Sequence, residues 1–245
     1  GSGTTPEGRW RVVAGGRRQV NERVALFGEN SYDLFGQQRS LLTTYGVEYE
    51  ATDFTAFSVG LEYGSLTDPN TDDFDRRGIS FGVRHDDGAG LSALGVFEWR
   101  EDDGESPGSI RDAETFGFVA NARYKLDEEQ RLIFALEAVI TDNSQSTELD
   151  GEFVDLSLGY ARRPIADDRF NLLFRYRYVL DEYGQQIDGV DALGPQQRSH
   201  ILSLDGAYDL NNLWTVGAKI GGRFGDTRAS AEDPYTDNDA WLGVV

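Results

Sequence analysis

The side chains able to do chemistry in this sequence are chiefly carboxylates and guanidinium groups. Asp and Glu total 43 against 23 Lys and Arg, a formal net charge of −20 over 245 residues. His85 and His200 are the two imidazoles, and cysteine is absent. Nucleophilic hydrolysis, as in a membrane-embedded lipase, would need one of these imidazoles beside a serine and an orienting carboxylate. Nothing in the sequence sets such a trio together, so an interfacial or lumen-filling histidine is the expectation for both. General acid–base work needs carboxylates placed in unlike surroundings, and no pair stands out. The chain is therefore expected not to be an enzyme and to use no cofactor. Without cysteine, disulfides and thiolate metal sites are excluded.

Oxygen-ligand metal binding is the remaining chemical candidate. Asp68, Asn70, Asp72, Asp73 and Asp75 cluster in one stretch, and Asp233, Asp237, Asn238 and Asp239 in another. Such oxygens suit Ca²⁺, but the glycine and closing glutamate of an EF-hand loop are missing. Solvated acidic loops are expected instead of a metal centre. The acidic balance also argues against a nucleic-acid partner, which calls for a basic stripe.

Charge follows a second pattern, set by position along extended segments. In "NLLFRYRYVLDE", residues 171–182, Leu172, Phe174, Tyr176, Tyr178 and Leu180 take one parity, while Asn171, Arg175, Arg177 and Asp181 take the other. A period of two means a strand with two unlike faces. The same alternation sets Trp214, Val216, Ala218, Ile220 and Phe224 against Thr215, Lys219 and Arg223, and Phe116, Phe118, Ala120, Ala122 and Tyr124 against Thr115, Asn121, Arg123 and Lys125. Collected over the chain, the polar parity carries Arg11, Glu48, Glu50, Glu62, Arg84, Glu98, Arg100, Arg123, Lys125, Glu137, Asp155, Arg175, Arg177, Asp181, Asp205, Lys219 and Arg223. Facing water inside a barrel, these residues would line a lumen and tune its selectivity. The plainer alternative is a web of cross-strand salt bridges filling a polar interior.

The elements that must position them are strands. The alternation predicts strands at 9–19, 23–32, 39–51, 55–65, 76–86, 90–101, 113–125, 131–142, 151–162, 169–181, 198–208 and 213–224, with a thirteenth beginning at 239–245. Segment 23–32 has no clean face, and 131–142 carries Ile133 and Val139 on its polar side. Most of these segments exceed the ~5–6 residues usual in globular strands and match the ~9–11 tilted residues that cross a bilayer. Short connections (Val20–Glu22, Thr52–Phe54, Asp87–Ala89, Leu126–Gln130, Arg163–Asp168, Asp209–Asn212) alternate with long ones rich in Asp, Gly, Ser and Pro, such as "SLTDPNTDDFD" and "DEYGQQIDGVDALGPQQ". Outer-membrane barrels alternate short periplasmic turns with long external loops in the same way.

Aromatic residues sort to the two ends of the apolar parity. Tyr49, Tyr124, Tyr160, Tyr208 and Trp214 lie next to short turns; Trp10, Tyr32, Tyr63, Trp99, Tyr178 and Trp241 lie next to long loops. Two girdles at the membrane–water interfaces are expected from amphipathic rings. No apolar run approaches the ~18–20 residues a membrane helix needs.

With its "NLLFRYRYV" and "LWTVGAKIGGRF" alternation, its turn-flanking Tyr and Trp and its acidic loops, the chain resembles a bacterial outer-membrane β-barrel protein. More narrowly, "YGVEYEATDFTAFSVGLEYG" and "HILSLDGAYDLNNLWTVGAKIGGRFGD" are similar to barrels at the C-terminal end of large proteobacterial surface proteins. The resemblance implies an all-β, antiparallel up-and-down transmembrane barrel of at least 12 strands in the bacterial outer membrane. It implies outer-membrane lipid and lipopolysaccharide as surroundings, the barrel-assembly machinery as an inserting partner, and an upstream passenger region that the barrel anchors or displays. A free-standing porin-type channel for small, anionic solutes and a soluble β-sandwich or adhesin-like domain are the alternatives. Residues 1–8 read as a linker or loop remnant and 9–245 as one barrel domain. Its strand at 239–245 is expected to be truncated and one or more strands to be missing at the chain ends, because the first strand runs toward a short turn and barrels of this type have even strand counts.

Overall fold

The computed structural model describes residues 11–33, 39–67, 73–106, 109, 111–145, 150–164, 169–188, 190–211 and 213–244. Every regular element among them is a β-strand: β1 (Arg11–Gln19), β2 (Val24–Asp33), β3 (Arg39–Thr52), β4 (Thr55–Thr67), β5 (Phe74–Asp86), β6 (Leu91–Gly104), β7 (Ala113–Lys125), β8 (Gln130–Asn143), β9 (Gly151–Arg162), β10 (Phe170–Ile187), β11 (Val190–Asn211), β12 (Trp214–Arg228), β13 (Thr236–Asp237) and β14 (Ala240–Val244). No described helix is long and apolar enough to cross a membrane, which says nothing of crossing by strands.

The strands form one antiparallel up-and-down sheet in chain order, with both β13 and β14 pairing with β12. The sheet is not closed. Among the described residues β1 has β2 on one side and nothing on the other. The reason lies in strand direction. β1 and β14 both run from the long-loop end toward the short-turn end, so β14 cannot pair antiparallel with β1. It instead occupies Lys219–Arg223 on the edge of β12.

Short turns are held by side chains that take over backbone donors. Asn21 Oδ1 accepts from the N–H groups of Arg23 and Val24 at 2.9 Å each, and Asn211 Oδ1 from Leu213 and Trp214 at 2.9 and 3.1 Å. Asp87 Oδ1 accepts from Ala89, Gly90 and Leu91 at 2.9, 2.7 and 3.0 Å. Those backbone donors hold its pKa down at about 2. Gly88, at φ +67°, supplies the left-handed step that this turn needs. Asp127 closes the β7–β8 turn through the N–H groups of Glu129 and Gln130, both at 2.8 Å.

One long connection departs from expectation. Residues 182–197, read as a loop, continue β10 and β11 as a paired ribbon whose turn places Asp188 at φ +51°. A bulge between Glu182 and Gly184 re-aims the ribbon, and Pro195 falls beside it, where no ladder bond is needed. The β12–β14 connection folds against this ribbon. Gln185 Nε2 donates to Ser230 Oγ at 3.0 Å, the Ala231 N–H donates to Gln185 Oε1 at 3.0 Å, and Tyr235 Oη donates to Gln196 Oε1 at 2.6 Å.

Among the described residues there is no second layer. Ala25, Ala56 and Phe74 are the buried hydrophobic residues among those described, whereas Phe174 is 37% and Val216 49% exposed. A sandwich would cover both with an opposing sheet. The soluble-sandwich alternative fails on this point.

Candidate luminal and lipid-facing surfaces

Cross-strand register decides which side chains share a face. Starting from Gln19 on β1, one row of paired positions runs through Ala25, Glu48, Ser58, Gly82, Val96, Val119, Glu137, Asp155, Val179 and Ser199 to Gly225. All lie on the polar parity. The row leaves the last residue of β1 and reaches β12 eleven residues above its first, Trp214. At about 3.3 Å per residue and 4.8 Å per strand, that stagger corresponds to strands tilted by about 35°. Barrels require a tilt of about 35–45°.

The polar face holds all eleven positions expected to line a lumen: Glu48, Glu62, Glu98, Arg100, Arg123, Lys125, Arg175, Arg177, Asp181, Lys219 and Arg223. Ion pairs join several of them. Arg177 grips Asp155 with two bonds, Nε–Oδ1 at 2.9 Å and Nη2–Oδ2 at 2.5 Å. Lys219 lies 3.9 Å from Asp205 and Arg100 4.0 Å from Glu98. Glu48 receives Arg17 Nη2 at 2.7 Å and Arg84 Nη2 at 3.5 Å. These partners come from β1 and β5, each with a strand between it and β3. Arg228 reaches Glu182 across β11 in the same way, at 3.0 Å, on the opposite parity at the long-loop end.

Three participants were not picked out from the sequence. Arg17 pairs with Glu48, and Arg76 holds Asp102 through two bonds at 2.7 and 2.8 Å. Arg17 and Arg76 lie at segment ends, and Asp102 in a stretch that reads as loop, so parity counted over segment centres passes them by. Phe27 also points to the polar face, over Gly46 and Gly60, which explains why segment 23–32 shows no clean alternation. Trp10 lies outside the described residues, as does the side chain of Arg11.

The opposite face is apolar and uncovered. Phe57 stacks near Phe81 at 6.2 Å between centroids, Tyr45 lies 6.3 Å from Tyr63, and Phe97 lies 6.4 Å from Phe116. Tyr49, Tyr63, Trp99, Tyr124, Tyr160, Tyr178, Tyr208, Trp214 and Trp241 all take this parity. Tyr160 Oη donates to Gln130 at 2.6 Å at the short-turn end. Trp241 meets Phe224 edge-on at 4.7 Å. Both histidines belong to this face. His85 Nδ1 lies 2.8 Å from Thr55 Oγ1, and His200 Nδ1 lies 2.9 Å from Tyr176 Oη with its ring 5.0 Å from that of Tyr178. The run Gly78–Gly82 has the spacing of a nucleophile elbow, but it lies inside extended β5, with Ser80 on the face opposite to His85.

Charge returns to the apolar parity at the long-loop end. Arg77 binds Glu101 through two bonds at 2.8 and 2.6 Å, beside Tyr63 and Trp99, and Arg198 Nη2 binds Asp226 at 2.6 Å, beyond His200 and Phe224. Counting the apolar parity alone, the uncharged stretch runs from Arg77 to His85 on β5 and from Arg198 to Tyr208 on β11. Eight to ten residues at about 3.4 Å, tilted by about 35°, give a band roughly 22–28 Å tall, close to the ~25 Å apolar band of outer-membrane barrels.

Asp68, Asn70 and Asp72 lie outside the described residues. Asp75 Oδ1 accepts from Ser65 at 2.5 Å, and Asp239 Oδ1 from the Gly225 N–H at 3.2 Å. Among the described residues no group of three or more His, Asp or Glu is placed to hold a metal ion.

No protein-family model matches the chain, and no curated protein matches it. Among solved structures it is similar to the translocator domain of the autotransporter NalP from Neisseria meningitidis, at 15% identity and a TM-score of 0.28, over 95% of this chain and 86% of that one.

Proposed function

We propose that the chain is an outer-membrane β-barrel module, serving as a membrane anchor or pore with the ion-paired face turned inward. The uncovered apolar face carries this reading: a band about 25 Å tall, bounded by aromatic rings at both ends and by ion pairs at the long-loop end, fits the cross-section of a bilayer. Water would be a poor solvent for that face, and hydrocarbon a good one. An upstream passenger region, outer-membrane lipid with lipopolysaccharide, and the barrel-assembly machinery are its proposed partners.

In hydrocarbon the open edges of β1, of β14 and of β12 below Lys219 would leave backbone N–H and C=O groups unpaired, at several kcal/mol each. Closure is therefore part of the proposal. An antiparallel seam needs β1 beside a strand that runs toward the long loops. Either β14 leaves β12 and β1 takes that edge, giving twelve crossing strands, or one further ascending strand lies between β14 and β1.

Refolding into phospholipid vesicles, followed by gel mobility before and after heating, tests membrane folding. Planar-bilayer recording then separates pore from plugged anchor. A free-standing channel gives steady conductance, and a plugged anchor gives none. A chain that stays monodisperse in detergent-free buffer and ignores vesicles overturns the proposal.

A further inference from the structure

The charges of the polar face do not cancel evenly around the sheet. Once Arg76–Asp102, Arg100–Glu98, Arg177–Asp155 and Lys219–Asp205 are set aside, and Glu48 with its two cations Arg17 and Arg84 is counted as one surplus positive charge, the remaining carboxylates of β2 to β4 outnumber that charge three to one. Glu29, Glu50 and Glu62, on β2, β3 and β4, form no ion pair among the described residues. Arg123, Lys125, Arg131 and Arg175, on β7, β8 and β10, form none either. Lys125 and Arg131 are direct cross-strand partners on one face, an arrangement that is unfavourable unless an anion relieves it. Glu137, at mid-height, and Asp181, six residues short of the end of β10, are the carboxylate exceptions on the cationic side, with Asp209 near the end of β11; Asp181 and Asp209 are bonded to Tyr183 and Thr215.

In a twelve-strand closure, strands six apart in order face each other. Glu62 on β4, seven residues above Thr55, then opposes Arg175 on β10, five residues above Phe170, and Glu29 on β2 opposes β8, whose Arg131 lies lower, one residue above Gln130. Twelve strands spaced about 4.8 Å apart and tilted by about 35° enclose a backbone circle roughly 22 Å across. Arginine and glutamate side chains together reach about half of that, so the two walls cannot neutralise each other directly. The field between them crosses an aqueous gap that is focused by low-dielectric surroundings.

We propose that this lumen selects small zwitterions, solutes carrying one ammonium and one carboxylate, with the ammonium toward the Glu29–Glu50–Glu62 wall and the carboxylate toward Arg123, Arg131 and Arg175. This rests on the pore reading above. It replaces a simple preference for anions with a preference for opposite charges on one molecule. A monovalent ion gains at one wall what it loses at the other, whereas a zwitterion gains at both.

The test uses the full chain reconstituted in vesicles and in planar bilayers. Glycine and glycylglycine are compared with neutral polyols of matching size by vesicle swelling. The wild type is expected to pass the zwitterions several-fold faster. The triple variant Glu29→Gln, Glu50→Gln, Glu62→Gln should lose that advantage and become anion-selective by reversal potential. Arg123→Gln with Arg175→Gln should lose it and become cation-selective. Each variant is first checked for the heat-dependent gel shift, so that misfolding is seen separately. Equal permeation of zwitterions and polyols through a conducting channel, or reversal potentials that neither variant moves, overturns the proposal while leaving the pore intact. A folded chain with no conductance overturns the pore reading and this proposal with it.

Discussion

Phe118 and Val119 are consecutive, sit at the middle of β7 and are 39% and 40% exposed. Judged by exposure to water alone, an arginine at either position should cost the same. Register separates them. Phe118 lies between Phe97 and Ala138 on the apolar face, and Val119 between Val96 and Glu137 on the polar face. In a bilayer, Phe118→Arg puts a guanidinium near the hydrocarbon midplane, at about 2–4 kcal/mol. That is roughly a 30- to 1,000-fold loss in the folding equilibrium. Val119→Arg instead meets Glu137, an unpaired carboxylate directly across the strand, and should range from neutral to about 1 kcal/mol stabilising.

The assay is reversible urea unfolding of the two variants and the wild type from phospholipid vesicles, followed by tryptophan fluorescence. Phe116→Arg, two residues nearer the long-loop rim, should cost less than Phe118→Arg, since the penalty falls to about 0–1 kcal/mol at the interfaces. Equal costs for Phe118→Arg and Val119→Arg, or a larger cost at Val119, would refute the assignment of faces to lipid and water.

Glu48→Gln removes the negative charge shared by Arg17 and Arg84; with side chains this accessible, the loss should be about 0.5–1.5 kcal/mol, and a double-mutant cycle with Arg17→Gln should show the coupling. Asp87→Asn should flatten the acid limb of stability. A carboxylate held at about 2 in the fold and near its ordinary value when unfolded stabilises the fold above that ordinary value, and the contribution is lost as pH falls through the folded value, so wild type and variant should converge near pH ~2. Gly222→Val should expel Trp241, whose ring lies 2.7 Å from where the new Cβ would sit; a red-shifted fluorescence component without a change in the main unfolding transition is the expected signature. Gly46→Val collides with Phe27 and with the Val59 carbonyl at 2.5 Å, and should cost about 1–3 kcal/mol.

The strands were legible in the sequence because each face meets one environment over ten or more residues, which keeps the period of two intact. The reading lost accuracy where local chemistry and strand state diverge. "DEYGQQIDGVDALGPQQ" has a loop's composition, yet a tight turn at Asp188 and a bulge that absorbs Pro195 let it pair. Phe27 breaks the pattern of its segment because Gly46 and Gly60 leave room on the polar side. Parity placed Glu48 and Arg84 on one face, but their meeting depends on register across an intervening strand, which no single segment encodes. The two histidines show the same limit from the other side: their face follows from parity, while their partners Thr55 and Tyr176 follow from register.

Stagger links these local facts to the seam. A flat meander would keep its paired row level, whereas here the row from Gln19 climbs eleven residues by Gly225. Side-chain parity restricts how such a sheet can close, because a polar-face residue of β1 must meet a polar-face residue of its new partner. On β12 the odd-numbered residues take that face, as Gln19 does on β1, so any β1–β12 pairing must match odd with odd and the total shift must be even. Ten or twelve residues are the nearest even values, and both give tilts near those of known barrels. The sheet thus carries the register offset of a cylinder, and the edge that β1 would need on β12 is the one that β14 holds.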